Sequence, residues 1–447
     1  MKIMVQKNVT RQMKDAQNST DKPAHKNNGG MFSRERESSG TKTKGELMME
    51  YYHQSIPMSE ILNRIAKLQS VLLEKDMDAA LILQKSDFFY FSGTIQQGWL
   101  YVPVEGRPLL MIFKDYERAK AESPIESVIS LVSPKKIPEI IKDMGMPFPA
   151  NLGMELDVLP TNLYFQYDNI FSYSAIIDVS TEIRLIRAVK SDYEIGQIEA
   201  AARLSDKLAE KVPEILEPGK TEIALAGELE AYARSLGHQG NVRMRLWGSE
   251  LFYGHLMAGE SAAVPSFMSS PTGGCGTSSA TAQGAGFRKI KPNEPVLVDY
   301  VFALNGYLSD HARIFSIGPL SDDFINAHDA MLDIQKRAVE SGKSGMVSGQ
   351  LYEQMVSQAE DAGYGDFFMG ADARKIRFTG HGLGIELDEF PFIAKGQKLV
   401  LQKGMVVALE PKVIMPGKGV VGIENTFVVT DDGLRSLGKF QNSICQI

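Results

Sequence analysis

Asn305-Gly306 restricts this chain more than any other dipeptide in it. It lies in VLVDYVFALNGYLSDHARIFSIG, between two runs of alternating apolar and polar residues. Asn-Gly in that setting marks a two-residue hairpin turn, because both positions must tolerate positive φ. With Asn305 and Gly306 as the turn, pairing is fixed. Asp299 falls opposite Ala312 and Asp310 opposite Val301. Both aspartates then share one face as diagonal neighbours, roughly 7–8 Å apart. Two like charges on a buried face are costly without a cation. The pair therefore either faces solvent or converges on a metal.

A second hairpin repeats the pattern in MVVALEPKVIMPGKGVVGIENTFVVTDDG. A turn over residues 415–419, centred on Gly417, sets Glu410 directly opposite Glu424. Between the two hairpins in sequence, RFTGHGLGIELDEFPF places His381 among glycines and Asp388 seven residues later. A lone histidine in a glycine-flanked turn is ordinarily structural. As the fifth member of a set with Asp299, Asp310, Glu410 and Glu424 it reads as a ligand. Hard oxygens with one imidazole suit a pair of divalent ions such as Mn, Co, Fe or Zn.

The length of 447 residues exceeds what one hydrophobic core serves, so more than one domain is expected. A net charge of -7 gives no general attraction to nucleic acid or an anionic membrane. Cys275 and Cys445 make no disulfide framework, and no apolar run is long enough to span a bilayer. These features fit a cytoplasmic protein.

Residues 1–48 are polar and lack apolar periodicity, which predicts a disordered extension or a start upstream of the true one at Met48 or Met49. An α/β domain is expected over 49–185 and a second domain over 186–447, with the boundary near residues 184–188. DAALIL and SDFFYFSG both read as strands, and GWLYVPVEGRPLLMIFK as a hairpin around Glu105-Gly106. Ser191-Asp192 opens a long amphipathic helix and Thr221-Glu222 another. SSPTGGCGTSSATAQGAG lacks a Walker Lys-Ser/Thr and a GxGxxG before a helix, so it reads as a flexible pocket-lining loop. Trp247, Phe252, Tyr253 and His255 either line a pocket or pack in a core.

The order Asp299, Asp310, His381, Glu410, Glu424 resembles the metal signature of the pita-bread metallohydrolases: Xaa-Pro aminopeptidases, prolidases, methionine aminopeptidases and creatinase. The stretches VDYVFALNGYLSDHARIFSIG, GHGLGIELDEFP and ALEPKVIMPGKGVVGIENTFVVTDDG carry the likeness. It implies an α+β chain, with a C-terminal pita-bread domain preceded by a smaller α/β domain of the creatinase type. It also implies two divalent ions: Asp299 on one, Asp310 and Glu424 bridging, and His381 with Glu410 on the other. A metal-bridging hydroxide would cleave the bond before proline, with Glu410 handling the proton. Small peptides or other small molecules would be the substrates, no nucleic acid or membrane a partner, and the assembly a homodimer. Tyr307 and Arg313 would support the first hairpin.

Three positions depart from that pattern. Ala282 and Asp388 stand where the resembling aminopeptidases carry histidines, and Gly422 where they carry arginine. Asp388 is then either a surface acid beside Glu389 or a general base near the cations. The departures open a non-peptidase alternative, either a lyase like the dimethylsulfoniopropionate lyases of this fold or a creatinase-like C–N hydrolase. A non-catalytic binding protein is the third class.

Overall fold

The computed structural model describes residues 55–447. The expectations placed on residues 1–48 lie outside these described residues. Six strands, β1 (Ala79–Ile82), β2 (Gly98–Pro103), β3 (Leu109–Ile112), β4 (Val128–Ser130), β5 (Asn151–Met154) and β6 (Ala175–Asp178), form a mixed sheet ordered β4-β3-β2-β1-β5-β6. Strands β1 to β3 run antiparallel as a meander, whereas β1–β5, β5–β6 and β3–β4 pair in parallel. Strands β1 and β3, AALI and LLMI, are buried on both faces, which is why they read as continuous apolar runs. Ala80 and Ile82 face a cluster with Ile61, Ile65, Leu68 and Leu72 of the helix Met58–Glu74. Ala79 and Leu81 face a second cluster with Ile137, Ile141 and Tyr167. The turn between β2 and β3 falls where Glu105-Gly106 predicts it, with Gly106 at φ 97°.

SDFFYFSG corrects its reading as a strand. Residues Lys85–Ser92 are helical. The Gln84 side chain accepts from the Ser86 and Asp87 backbone N–H groups, and Gly93 ends the helix at φ 78° by donating to Phe89 O. Capping at both ends, with Phe88 and Phe91 buried one turn apart, outweighs the strand preference of the aromatics.

The rest of the chain builds two sheets that meet at the candidate site. One, ordered β19-β11-β8-β7, contains β7 (Gly254–Ala258), β8 (Val296–Tyr300), β11 (Ala312–Ser316) and β19 (Cys445–Gln446). The other, ordered β13-β12-β14-β17-β18, contains β12 (Phe378–Leu383), β13 (Leu387–Ala394), β14 (Val406–Leu409), β17 (Asn425–Val429) and β18 (Leu434–Ser436). Two short hairpins extend them: β9 (Phe302–Leu304) with β10 (Tyr307–Ser309), and β15 (Lys412–Met415) with β16 (Gly419–Gly422). An Ala312–Glu424 bridge joins the sheets. Val296 and Val298 pack on the helices Asp192–Ile215 and Glu222–Ser235, while Leu297 joins the core under Asp322–Ser341 and Ser348–Asp361. The first of these helices starts as its sequence predicts, with Ser191 and Glu194 closing a capping box.

Buried charges connect the segment before residue 190 to the strands around the site. Arg187 pairs with Asp87 at 2.6 Å, with Glu386 at 2.8 Å and with Glu389. Arg245 grips Asp87 and Asp157, and Lys190 reaches Glu389 at 3.0 Å. Arg64 donates to the Tyr307 hydroxyl at 2.8 Å, so Tyr307 anchors the first hairpin to the Met58–Glu74 helix. Among the described residues no helix is long and apolar enough to cross a membrane.

Candidate metal centre

The Asn305-Gly306 turn imposes the expected register. Asp299 pairs with Ala312, and Phe302 with Ser309, so Asp310 falls opposite Val301. Thr426 clamps Asp310 from the second sheet: its hydroxyl accepts from Asp310 N and donates to Asp310 O, each at 2.9 Å. Arg313 holds the junction by donating to the carbonyls of Ala312 and Glu424 and to Asn425 Oδ1.

The second hairpin keeps one register throughout. Val406–Leu409 pairs with Asn425–Val429, Lys412 pairs with Gly422 and Met415 with Gly419, which leaves Glu410 opposite Glu424. His381 lies beside them on β12, paired with Ala408. All five residues line one cleft of about 510 Å³, together with His255, Ser269, Ser270 and Asp388.

Within the cleft the five residues divide into two groups. His381 Nε2 stands 3.6 Å from Asp310 Oδ2 and 3.8 Å from Glu424 Oε1. One donor atom from each of these three residues lies within 4.8 Å of the others, and all three side chains are buried. This set of two carboxylates and an imidazole fits a divalent ion. The remaining acids surround Lys412. Its ammonium donates to Asp299 Oδ2 at 2.7 Å, Glu410 Oε2 at 2.9 Å and Glu424 Oε2 at 2.8 Å.

The electrostatics follow from crowding like charges in a dry place. Burial, then repulsion from Asp299, pushes the Asp310 carboxyl up to about 7. Burial and then Asp310 push Glu424 upward as well. For Lys412 burial acts to lower the pKa, but Asp299, Glu410 and Glu424 outweigh it and hold the ammonium charged. His381 is raised in the same sense: burial opposes the charge, and Asp388, Asp310 and Glu410 overcome it.

Asp388 lines the cleft with its Oδ1 3.6 Å from His381 Nδ1, so it is not a surface acid. Its backbone sits at φ 62° at the start of β13, just after a bend over residues 384–386 that Glu389 organises by accepting from Ile385 N and Glu386 N on Oε1. Glu389 is itself buried, and although burial raises it, Arg187 and Lys190 bring its carboxyl down to about 2. Ala282, by contrast, is exposed and does not line the cleft. Of the four aromatic candidates only His255 reaches it. Trp247 and Phe252 are exposed and Tyr253 stacks on His238 at 4.3 Å. His255 pairs with Asp299 across β7 and β8, burial holds its imidazole below the usual range, and its Nε2 has no hydrogen-bond partner among the described residues.

Lys412 is the residue that the motif reading passed over. One signal for it was present. In ALEPKVIM it stands two residues after Glu410, and strand alternation puts both side chains on one face.

Known proteins resemble this chain over most of its length. Residues 196–431 match metallopeptidase family M24, and residues 64–189 match the creatinase/prolidase N-terminal domain. The chain is 29% identical over 387 residues to an Xaa-Pro dipeptidase of Pyrococcus furiosus, covering 85% of this chain and 99% of that one. It is 30% identical over 385 residues to an Xaa-Pro dipeptidase of Lactobacillus delbrueckii subsp. lactis, covering 83% and 95%. An Xaa-Pro dipeptidase structure from Bacillus anthracis superposes with a TM-score of 0.74 at 23% identity, over 87% of this chain and all of that one, which shows a common fold.

Proposed function

Because the chain belongs to metallopeptidase family M24, and by that membership is a metal-dependent peptidase, we propose that it hydrolyses short peptides at the bond before proline. The observation that carries this reading is the convergence of Asp310, His381 and Glu424 in a cleft that Glu410 and Asp388 also line. Near-complete alignment with proteins named Xaa-Pro dipeptidase supports the substrate class. Asp310, His381 and Glu424 would hold a divalent ion of the Mn, Co, Fe or Zn class, which when bound would supply Lewis-acid activation of water near neutral pH.

The chain's own groups do the rest. Glu410 has one oxygen engaged by Lys412, and its other oxygen takes the proton of the attacking water and returns it to the leaving nitrogen. His255, neutral and with Nε2 unengaged, is the imidazole we assign to the scissile carbonyl, in place of the histidine missing at Ala282. Gly382 O, 3.2 Å from His381 Nδ1, orients the ring, and the Asp388 carboxylate 3.6 Å away adds a favourable charge on that side.

Asp388 also favours a second reading. A carboxylate in the cleft, where resembling peptidases carry histidine, suits proton abstraction from a small carboxylate or cleavage of a non-peptide C–N bond. One experiment separates the two. Metal-loaded protein is incubated with Xaa-Pro dipeptides and tripeptides alongside non-peptide carboxylates and amidines, with products read by mass spectrometry. Release of the residue before proline is expected; turnover confined to the non-peptide compounds would sink the peptidase reading.

A further inference from the structure

We infer that the Lys412 ammonium permanently fills one of the two cation positions defined by Asp299, Asp310, His381, Glu410 and Glu424, so that the centre takes a single divalent ion at Asp310, His381 and Glu424. The inference rests on the metal-dependent reading above and narrows it.

Three donors meet three acceptors. An ammonium has three N–H groups, and those of Lys412 go to one oxygen each of Asp299, Glu410 and Glu424 at 2.7, 2.9 and 2.8 Å. The side chain is 1% exposed, so no water competes for those bonds. A divalent ion bound to the same oxygens would need them at about 2.0–2.2 Å, centred where the nitrogen stands. Ion and ammonium exclude one another there by volume and by charge.

The second position stays available because the acids divide their oxygens. Glu424 gives Oε2 to Lys412 and turns Oε1 to His381. Asp310 accepts from His311 N on Oδ1 and presents Oδ2 to His381 Nε2. The spacings of 3.6 and 3.8 Å from the imidazole are near the edge of a coordination shell, where bonds of about 2.1 Å place tetrahedral ligand atoms roughly 3.4 Å apart.

The strand opposite is built to admit the lysine. Position 422, where the resembling enzymes carry arginine, is glycine here, and a Cβ on it would lie 2.9 Å from Lys412 Cγ. The cation of this hairpin stands on the strand facing Gly422, as Lys412 pointed into the carboxylates.

Metal stoichiometry tests the assignment independently of turnover. Full-length protein is stripped, titrated with Mn(II), freed of excess and analysed for bound metal. One ion per chain is expected for the wild type and two for Lys412→Ala. Should the variant fail to fold, electron paramagnetic resonance of the Mn(II)-saturated wild type decides: an isolated-ion spectrum is expected, and an exchange-coupled pair overturns the inference. Two ions per wild-type chain, or a folded Lys412→Ala that stays at one, also overturn it. No ion in the wild type would overturn instead the metallopeptidase reading on which it rests.

Discussion

Gly422 faces Lys412 across the β15–β16 ladder so closely that a Cβ at 422 would lie 2.7 Å from Lys412 Cα. It would also meet the Pro411 carbonyl at 2.4 Å, which is backbone and has nowhere to go. Overpacking of this kind costs about 1–3 kcal/mol. Gly422→Ala is therefore expected to lower the unfolding free energy by that amount and the denaturant midpoint with it, and an unchanged midpoint would show that the hairpin relaxes freely.

Arg187 joins Asp87, Glu386 and Glu389, all buried, with Arg245 and Lys190 beside them. Removing it leaves those acids two cations in place of three, and losing one partner of a buried ion pair costs about 3–5 kcal/mol. Arg187→Met should lose that much stability in urea unfolding. Glu389→Gln added to it should return part of the loss, because Glu389 would be left with Lys190 as its remaining ion-pair partner; a strictly additive double variant would contradict the network.

Asp388 has a backbone φ of 62°, a conformation that asparagine tolerates well. Asp388→Asn should thus fold like the parent. If the carboxylate exchanges a proton in the reaction, kcat falls about 10²-fold or more. If it only orients His381, metal affinity falls instead by about 10–100-fold. Retention of both would reduce Asp388 to a polar lining residue.

Glu155 sets a pH dependence of stability. Burial, reinforced by Asp87, pushes its carboxyl from 4.5 up to about 8, despite backbone N–H donors at Leu83 and Gln84. Between those values the folded chain retains a proton that the unfolded chain releases, so stability is greatest below the unfolded value and declines as pH rises towards 8. Urea midpoints at pH 5 and pH 8 should differ more for the wild type than for Glu155→Gln. Equal slopes would place the titration elsewhere.

The parts of this architecture that the sequence made legible are those governed by short-range geometry. A two-residue turn at Asn305-Gly306 and a five-residue turn around Gly417 fix strand registers, and registers fix which acids face each other. The Lys85–Ser92 helix escaped because its aromatic run favours a strand and its decisive contacts are caps made by Gln84 and Gly93. Aligning a histidine site onto Ala282 failed for a different reason: the surrounding loop has no periodicity to count along, and the imidazole that reaches the cleft comes from β7 as His255. Lys412 stayed hidden because only Glu410 among the three acids it meets is a close neighbour in sequence, Asp299 being more than a hundred residues away. The Glu410 spacing alone does not report that meeting.

Four converging carboxylates, three of them buried, repel one another until a cation arrives, so folding ordinarily leans on metal supply. With Lys412 bonded to three of them, the hairpins bring their own counter-charge as they form. Synthesis of the folded chain is thereby uncoupled from loading of the ion, and scarcity of metal in the cell would leave intact protein in reserve, ready to be switched on by uptake rather than replaced.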